Sequence, residues 1–104
     1  MIDNEIKEIL DRRKDLHPED SLATEKCWEE EIRILCRDID ETIDFIENRC
    51  TAEEFIWLSE VFEDVQDQLK SESFHQSLLD AAKKFPDETR EYNILEFISS
   101  EENS

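Results

Sequence analysis

Nucleophilic catalysis needs a hydroxyl or thiol beside a base that a third group orients, and this chain has two histidines and three cysteines from which to build such a site. His17 stands at a proline turn and His75 inside a helical pattern, and neither has a motif around it. Both read as surface or boundary residues, outside any triad-like constellation. Glu72-Ser73-Phe74-His75 has the Glu-x-x-His spacing that aims two ligands at a di-iron centre, but such a centre takes two copies and two further inward glutamates. The sequence holds one copy. An EF-hand loop needs glycine at its sharp turn, and the chain contains no glycine. Its thirty aspartates and glutamates are so abundant that no pair stands out as an acid and a base. The expectation is a protein that is not an enzyme, with no catalytic residues, no metal site and no cofactor.

Cys27, Cys36 and Cys50 are odd in number and lack Cys-x-x-Cys spacing. Cys27 and Cys36 fall on one helical pattern, whose rise of about 1.5 Å per residue holds their α-carbons about 13 Å apart, beyond disulfide reach. Reduced thiols serving as small core residues fit a cytoplasmic protein. The opening MIDNEIKEIL lacks the basic start and apolar run of a secretion signal, and the apolar runs are too short to span a membrane.

The 104 residues suit one domain. Twelve basic residues against thirty acidic ones leave a formal charge of −18. Such a charge repels nucleic acid and anionic membranes and speeds encounter with a basic partner. Direct nucleic-acid binding is not expected, because the one basic cluster, Arg12-Arg13-Lys14, is accounted for by the dipole at the end of a helix.

Without glycine, and with only Pro18 and Pro86, the chain reads as helices joined by short turns. The fold class expected is all-α, a single-domain bundle of four to five helices over 1–104. Ile2, Ile6, Ile9 and Leu10 mark a helix over 2–15. Trp28, Ile32, Leu35, Cys36, Ile39, Ile43 and Ile46 form one stripe of a long helix over 24–48, with Cys27, Ile34 and Phe45 on a flanking face. Thr51-Ala52-Glu53-Glu54 has the form of a capping box. It opens a helix over 52–69 with Phe55, Leu58, Phe62, Val65 and Leu69 inward. Ser71 or Ser73 caps a helix over 73–85 that Pro86 stops, and Asn93 with Glu96 signals a last helix over 93–101 carrying Leu95 and Ile98.

The acidic residues show more organisation than the catalytic candidates. From Glu53 to Asp67 stand Glu53, Glu54, Glu60, Glu63, Asp64 and Asp67, with no basic residue among them. On a continuous wheel Glu53, Glu60, Glu63, Asp64 and Asp67 gather opposite the Phe55/Phe62/Leu69 stripe. Ile56 falls on that acidic face and Trp57 at its border. One reading is a solvated face whose apolar residue is covered by a neighbouring helix. The other is a partner site, with Ile56 and Trp57 as anchors among the steering charges of Glu60, Glu63, Asp64 and Asp67.

The segment Thr51-Ala-Glu-Glu-Phe-Ile-Trp-Leu-Ser-Glu-Val-Phe-Glu-Asp64, followed by Ser73-Phe74, Lys84-Phe85-Pro86-Asp87-Glu88 and Tyr92-Asn93-Ile94, resembles immunity proteins of bacterial contact-dependent growth inhibition systems. The likeness covers roughly residues 38–98. It implies a cytoplasmic antitoxin that binds a basic toxin domain, often a nuclease, and covers its active site. The Tyr-Tyr-Pro motif of colicin-type immunity proteins is missing, and the resemblance carries no residue-level contact motif. The six partner-site residues therefore rest on the wheel. Two other functions fit an acidic helical chain: a nucleic-acid mimic that occupies the groove of a DNA- or RNA-binding protein, and a helical adaptor or regulatory subunit whose apolar faces matter more than its charge.

Overall fold

Ile2, Ile6, Ile9 and Leu10, repeating at three- and four-residue steps, are all buried on the inner face of α1 (Ile2–Asp15). A computed structural model describes residues 2–17 and 19–98, and the chain there is all-α. The further segments are α2 (Ser21–Arg37), α3 (Ile39–Asp44), α4 (Ala52–Leu58), α5 (Phe62–Leu69), α6 (Glu72–Lys84), α7 (Pro86–Glu91) and α8 (Leu95–Ile98). A π turn at Phe45–Arg49 extends α3, and a 3-10 turn at Ser59–Val61 joins α4 to α5. No β-strand occurs among the described residues.

The helix expected over 24–48 starts earlier, at Ser21, where the Asp20 carboxylate accepts the Ala23 backbone N–H at 3.1 Å. It is then interrupted at Asp38, whose extended backbone (φ −142°, ψ 100°) ends α2. Asp38 also begins α3, its side chain accepting the Glu41 N–H at 3.2 Å. The break needs neither proline nor glycine, because a carboxylate that satisfies an orphan amide is enough to restart a helix. Buried Thr42 fixes the angle between the two segments, its hydroxyl donating to the Leu35 carbonyl at 2.7 Å. The π turn, closed by the Cys50 N–H on the Phe45 carbonyl at 2.8 Å, lets the consecutive residues Phe45 and Ile46 both be buried.

The capping box forms as its sequence predicts: Thr51 Oγ1 accepts the Glu54 N–H at 3.1 Å and Glu54 returns by accepting the Thr51 N–H at 2.9 Å. The helix it opens stops at Leu58. Val61, at φ −114° and ψ 5°, leaves helical geometry before α5 begins, so residues 52–58 and 62–69 do not share one continuous wheel. Ser71, rather than Ser73, caps α6 through the Phe74 N–H at 3.2 Å. Pro86 ends α6 and also opens α7, occupying the first turn where a missing N–H costs nothing. Asn93 takes a left-handed conformation (φ 54°) after α7 instead of capping the next helix with its side chain, and Lys70 does the same after α5 (φ 49°). Both occupy the position that glycine usually fills. In the last helix Ile98 is buried and Leu95 exposed. Residues 99–101 of that expected helix lie outside the described ones.

One core runs through these segments. Phe55 lies 5.2 Å from Phe62 and 5.7 Å from Phe85 between ring centroids, and Leu35, Ile46, Leu58, Val65, Phe74, Leu78 and Ile94 are buried around them. On α2 the buried set is Cys27, Glu31, Ile34 and Leu35. The face read as flanking is thus the inner one, and Trp28, Ile32 and Cys36 sit at its edge. Cys27 and Cys50 are buried thiols and Cys36 is half-buried; all three are unbridged. Burial pushes the Cys50 thiol up to about 12. Gln66, buried on α5, donates to the Phe62 carbonyl at 3.1 Å and to the Phe97 carbonyl at 2.7 Å, which fastens α8 to the bundle.

Replacing Thr42 by valine keeps its shape but strands the Leu35 carbonyl. We expect Thr42→Val to lower stability by about 1–3 kcal/mol, read as a lower urea midpoint at unchanged slope. An unchanged midpoint would mean that the hydroxyl does not hold the α2–α3 angle.

Candidate functional site

Arg12, Arg13 and Lys14 do more than complement the dipole of α1. They reach three different places. Arg12 pairs with Glu30 at 2.8 Å, Lys14 with Glu53 at 2.9 Å, and Arg13 with Glu60. The last pair is bidentate, with Nε to Oε1 at 3.1 Å and an Nη to Oε2 at 2.8 Å, a geometry that fits a guanidinium to a carboxylate. Trp28 Nε1 donates to the same Glu60 Oε1 at 3.0 Å. The guanidinium carbon lies 5.2 Å from the Trp57 ring centroid and 6.0 Å from that of Trp28, within cation–π range. One arginine of α1 thus ties α2, α4 and the 3-10 turn together.

The turn is what puts Glu60 there. Leu58, Ser59, Val61 and Phe62 are all buried around it, and the change of helical phase swings Glu60 toward α1 and α2. The wheel places Glu60 on an outward acidic face; in the folded chain its side chain is 27% exposed and its carboxylate is already engaged by Arg13 and Trp28. Ile56 and Trp57 are half-buried. They line a hollow of about 740 Å³ with Ala52, Glu53, Ser59, Glu60, Glu88 and Tyr92. Glu63, Asp64 and Asp67 are exposed on α5. None of the three enters an ion pair among the described residues, whereas Arg12, Arg13, Lys14, Arg37, Arg49 and Arg90 each hold a carboxylate within the chain. The six residues read as one site therefore divide between the hollow beside α4 and the outer face of α5.

Beside the Arg13–Glu60 pair lies a residue that the sequence reading passed over. Glu31 is fully buried, and neither carboxylate oxygen has a hydrogen-bond partner among the described residues. Burial pushes its carboxyl up to about 8, reinforced by the charge of Glu60 and opposed by Arg13. Its position was legible: on a wheel at 100° per residue Glu31 falls inside the arc of Cys27, Ile34 and Leu35. Arg13 and Trp28 carried no comparable signal, because their partner is about thirty or more positions away in sequence and only the folded chain joins them.

His17 Nδ1 accepts the Glu19 N–H at 3.1 Å, and His75 Nδ1 lies 2.7 Å from Gln66 Oε1. Glu72 and His75 share a second hollow with Asp67, Lys70 and Ser71. No group of three or more His, Cys, Asp or Glu side chains among the described residues could hold a metal ion, and no described helix is long and apolar enough to cross a membrane.

Two measurements test this arrangement. In the unfolded chain Glu31 titrates near 4.5 and in the folded chain near 8, so the folded state keeps a proton that the unfolded state releases. Its contribution to stability is full below the lower value, is lost as pH rises, and is gone above the higher one. We expect Glu31→Met to remove that part of the decline and to raise stability at pH of about 8 by a few kcal/mol. A variant that keeps the parental slope in urea melts at several pH values would assign the titration to another group. Glu60→Ala leaves Arg13 and Trp28 without their acceptor and should cost about 2–3 kcal/mol. A loss under half a kcal/mol, as for an exposed ion pair, would make Glu60 an ordinary surface residue.

In comparisons with known proteins, the chain matches no family model, no curated protein and no solved structure.

Proposed function

We propose that this chain is an immunity protein, a cytoplasmic antitoxin that binds one cognate basic toxin domain, a ribonuclease or deoxyribonuclease, and covers its active-site cleft. One observation carries this reading: α5 presents Glu63, Asp64 and Asp67 to solvent without a cation from its own chain among the described residues. Glu63 and Asp64 lie in the first turn of α5, where the helix dipole favours them. Asp67 lies in the last turn, which contains no basic residue, so the dipole opposes it. It also stands four and three residues from the other two, the spacing at which like charges repel. A surface that costs helix stability in the isolated chain is understandable if a basic partner relieves it.

The segment that carries the resemblance to contact-dependent growth inhibition immunity proteins, 51–64, forms α4, the 3-10 turn and the first turn of α5. A nuclease must attract phosphate, so its cleft is basic, and exposed carboxylates are its electrostatic complement. Charges at the edge of such an interface act mainly on the association rate and its salt dependence. Ile56 and Trp57, half-buried beside Glu60, offer apolar contact where water is easily displaced.

The test uses the C-terminal domain of the protein encoded by the neighbouring reading frame, where this proposal expects a basic toxin domain. The paired reversal Glu63→Lys and Asp64→Lys should slow association about tenfold or more at low salt and weaken protection of cells, with the helical circular dichroism retained. Asp67→Lys should also weaken binding while slightly raising thermal stability, since a cation suits the end of a helix. Unchanged affinity in all three variants would remove α5 from the interface, and no complex with the wild-type chain at low salt would end the antitoxin reading.

A further inference from the structure

At the half-buried junction of α1, α2 and α4 the chain shows how it binds a guanidinium. Arg13 is held by the two oxygens of Glu60 and lies beside the rings of Trp57 and Trp28. Across α4 the hollow beside Ile56 and Trp57 repeats these chemical elements. Ile56, Trp57 and Tyr92 supply its apolar and aromatic walls, Glu53, Glu60 and Glu88 its carboxylates, and no basic side chain is among its lining residues. On the other side of Trp57 and Glu53, the smaller hollow between α1 and α4 contains the chain's own Lys7 and Lys14. Glu53 and Glu60 are each shared with an internal cation, Lys14 and Arg13. Glu88 enters no ion pair among the described residues, and Tyr92, 51% exposed, is one of the large apolar side chains most open to solvent.

We propose that the hollow between α4 and α7 is a receptor for a single arginine side chain of the protein partner, with Glu88 as the carboxylate that meets the guanidinium and Tyr92 and Trp57 as the surfaces against which it lies. The hollow, about 740 Å³, exceeds one side chain and leaves room for the neighbouring backbone of the partner. A planar cation suits this lining better than an ammonium, since it bonds a carboxylate edge-on and stacks on an aromatic face at the same time. Capture of one arginine would add specificity to an encounter that the α5 carboxylates only steer. That the arginine belongs to a protein partner rests on the proposed function; the chemistry of the hollow does not.

The experiment therefore needs no toxin. N-acetyl-arginine amide is titrated into the full, isotopically labelled chain, and the Trp57 indole and the backbone amides of 52–60 and 88–92 are followed by NMR. N-acetyl-citrulline amide, which has nearly the same shape without the charge, is the control. Saturable shifts confined to these positions, weakened at least threefold by Glu88→Gln and by Tyr92→Ala, support the proposal. Equal shifts from citrulline, shifts centred on 63–67, or affinity unchanged by both substitutions overturn it. A chain that binds arginine amide but not the neighbouring basic domain keeps the hollow and loses the antitoxin reading. The converse result keeps the α5 surface and removes the hollow.

Discussion

Arg13 extends from the last turn of α1 toward three side chains drawn from two separate stretches of sequence, Trp28 on one and Trp57 with Glu60 on the other. A guanidinium removed from bulk water must be paired and hydrogen-bonded, or its desolvation would unfold the site. Here the requirement is met by one bidentate carboxylate and two aromatic rings. Meeting it fixes the crossing of α1 and α2, the place where α4 must stop, and the direction in which the 3-10 turn faces. Glu31 lies close enough for its ionisation to be influenced by both members of the pair. Burial and the neighbouring Glu60 charge both favour the neutral form of this second carboxyl.

The surplus of acid is therefore sorted. Glu5, Glu30, Glu53 and Glu60 are taken up by cations of the chain's own helices, and Asp20, Asp38 and Glu54 by orphan amides at helix starts. Those of α5 have neither use among the described residues. A formal charge of −18 understates how unevenly the field is distributed, since much of the acid near α1 is locally neutralised. Electrostatic steering depends on that distribution more than on the total.

Helix content, the inner face of α1 and the capping box of α4 were legible in the residues, because each depends on contacts within a few positions along the chain. The break at Asp38 was also written locally, as an acidic cap followed three residues later by Glu41, but the apolar stripe from Leu35 to Ile46 runs through it and hides it. Pro86 signals a stop and a start with the same residue, and the short α7 followed from the second meaning. The site was legible only in part. A wheel drawn over 52–69 assumes constant rotation, and the 3-10 turn at Ser59–Val61 violates this, separating Glu60 from Glu63, Asp64 and Asp67. Nothing in the local sequence joins Arg13 to Glu60, or Glu88 and Tyr92 to Trp57; those approaches arise from the packing of α1 and α7 on α4.

Trp28 and Trp57 are the only two tryptophans in the chain, and both border the same guanidinium. Intrinsic fluorescence therefore samples one junction. Its emission will follow the docking of α1 on α2 and α4, while fraying at α6 and α8 passes unseen, so a single optical transition would not by itself establish that the whole bundle melts together.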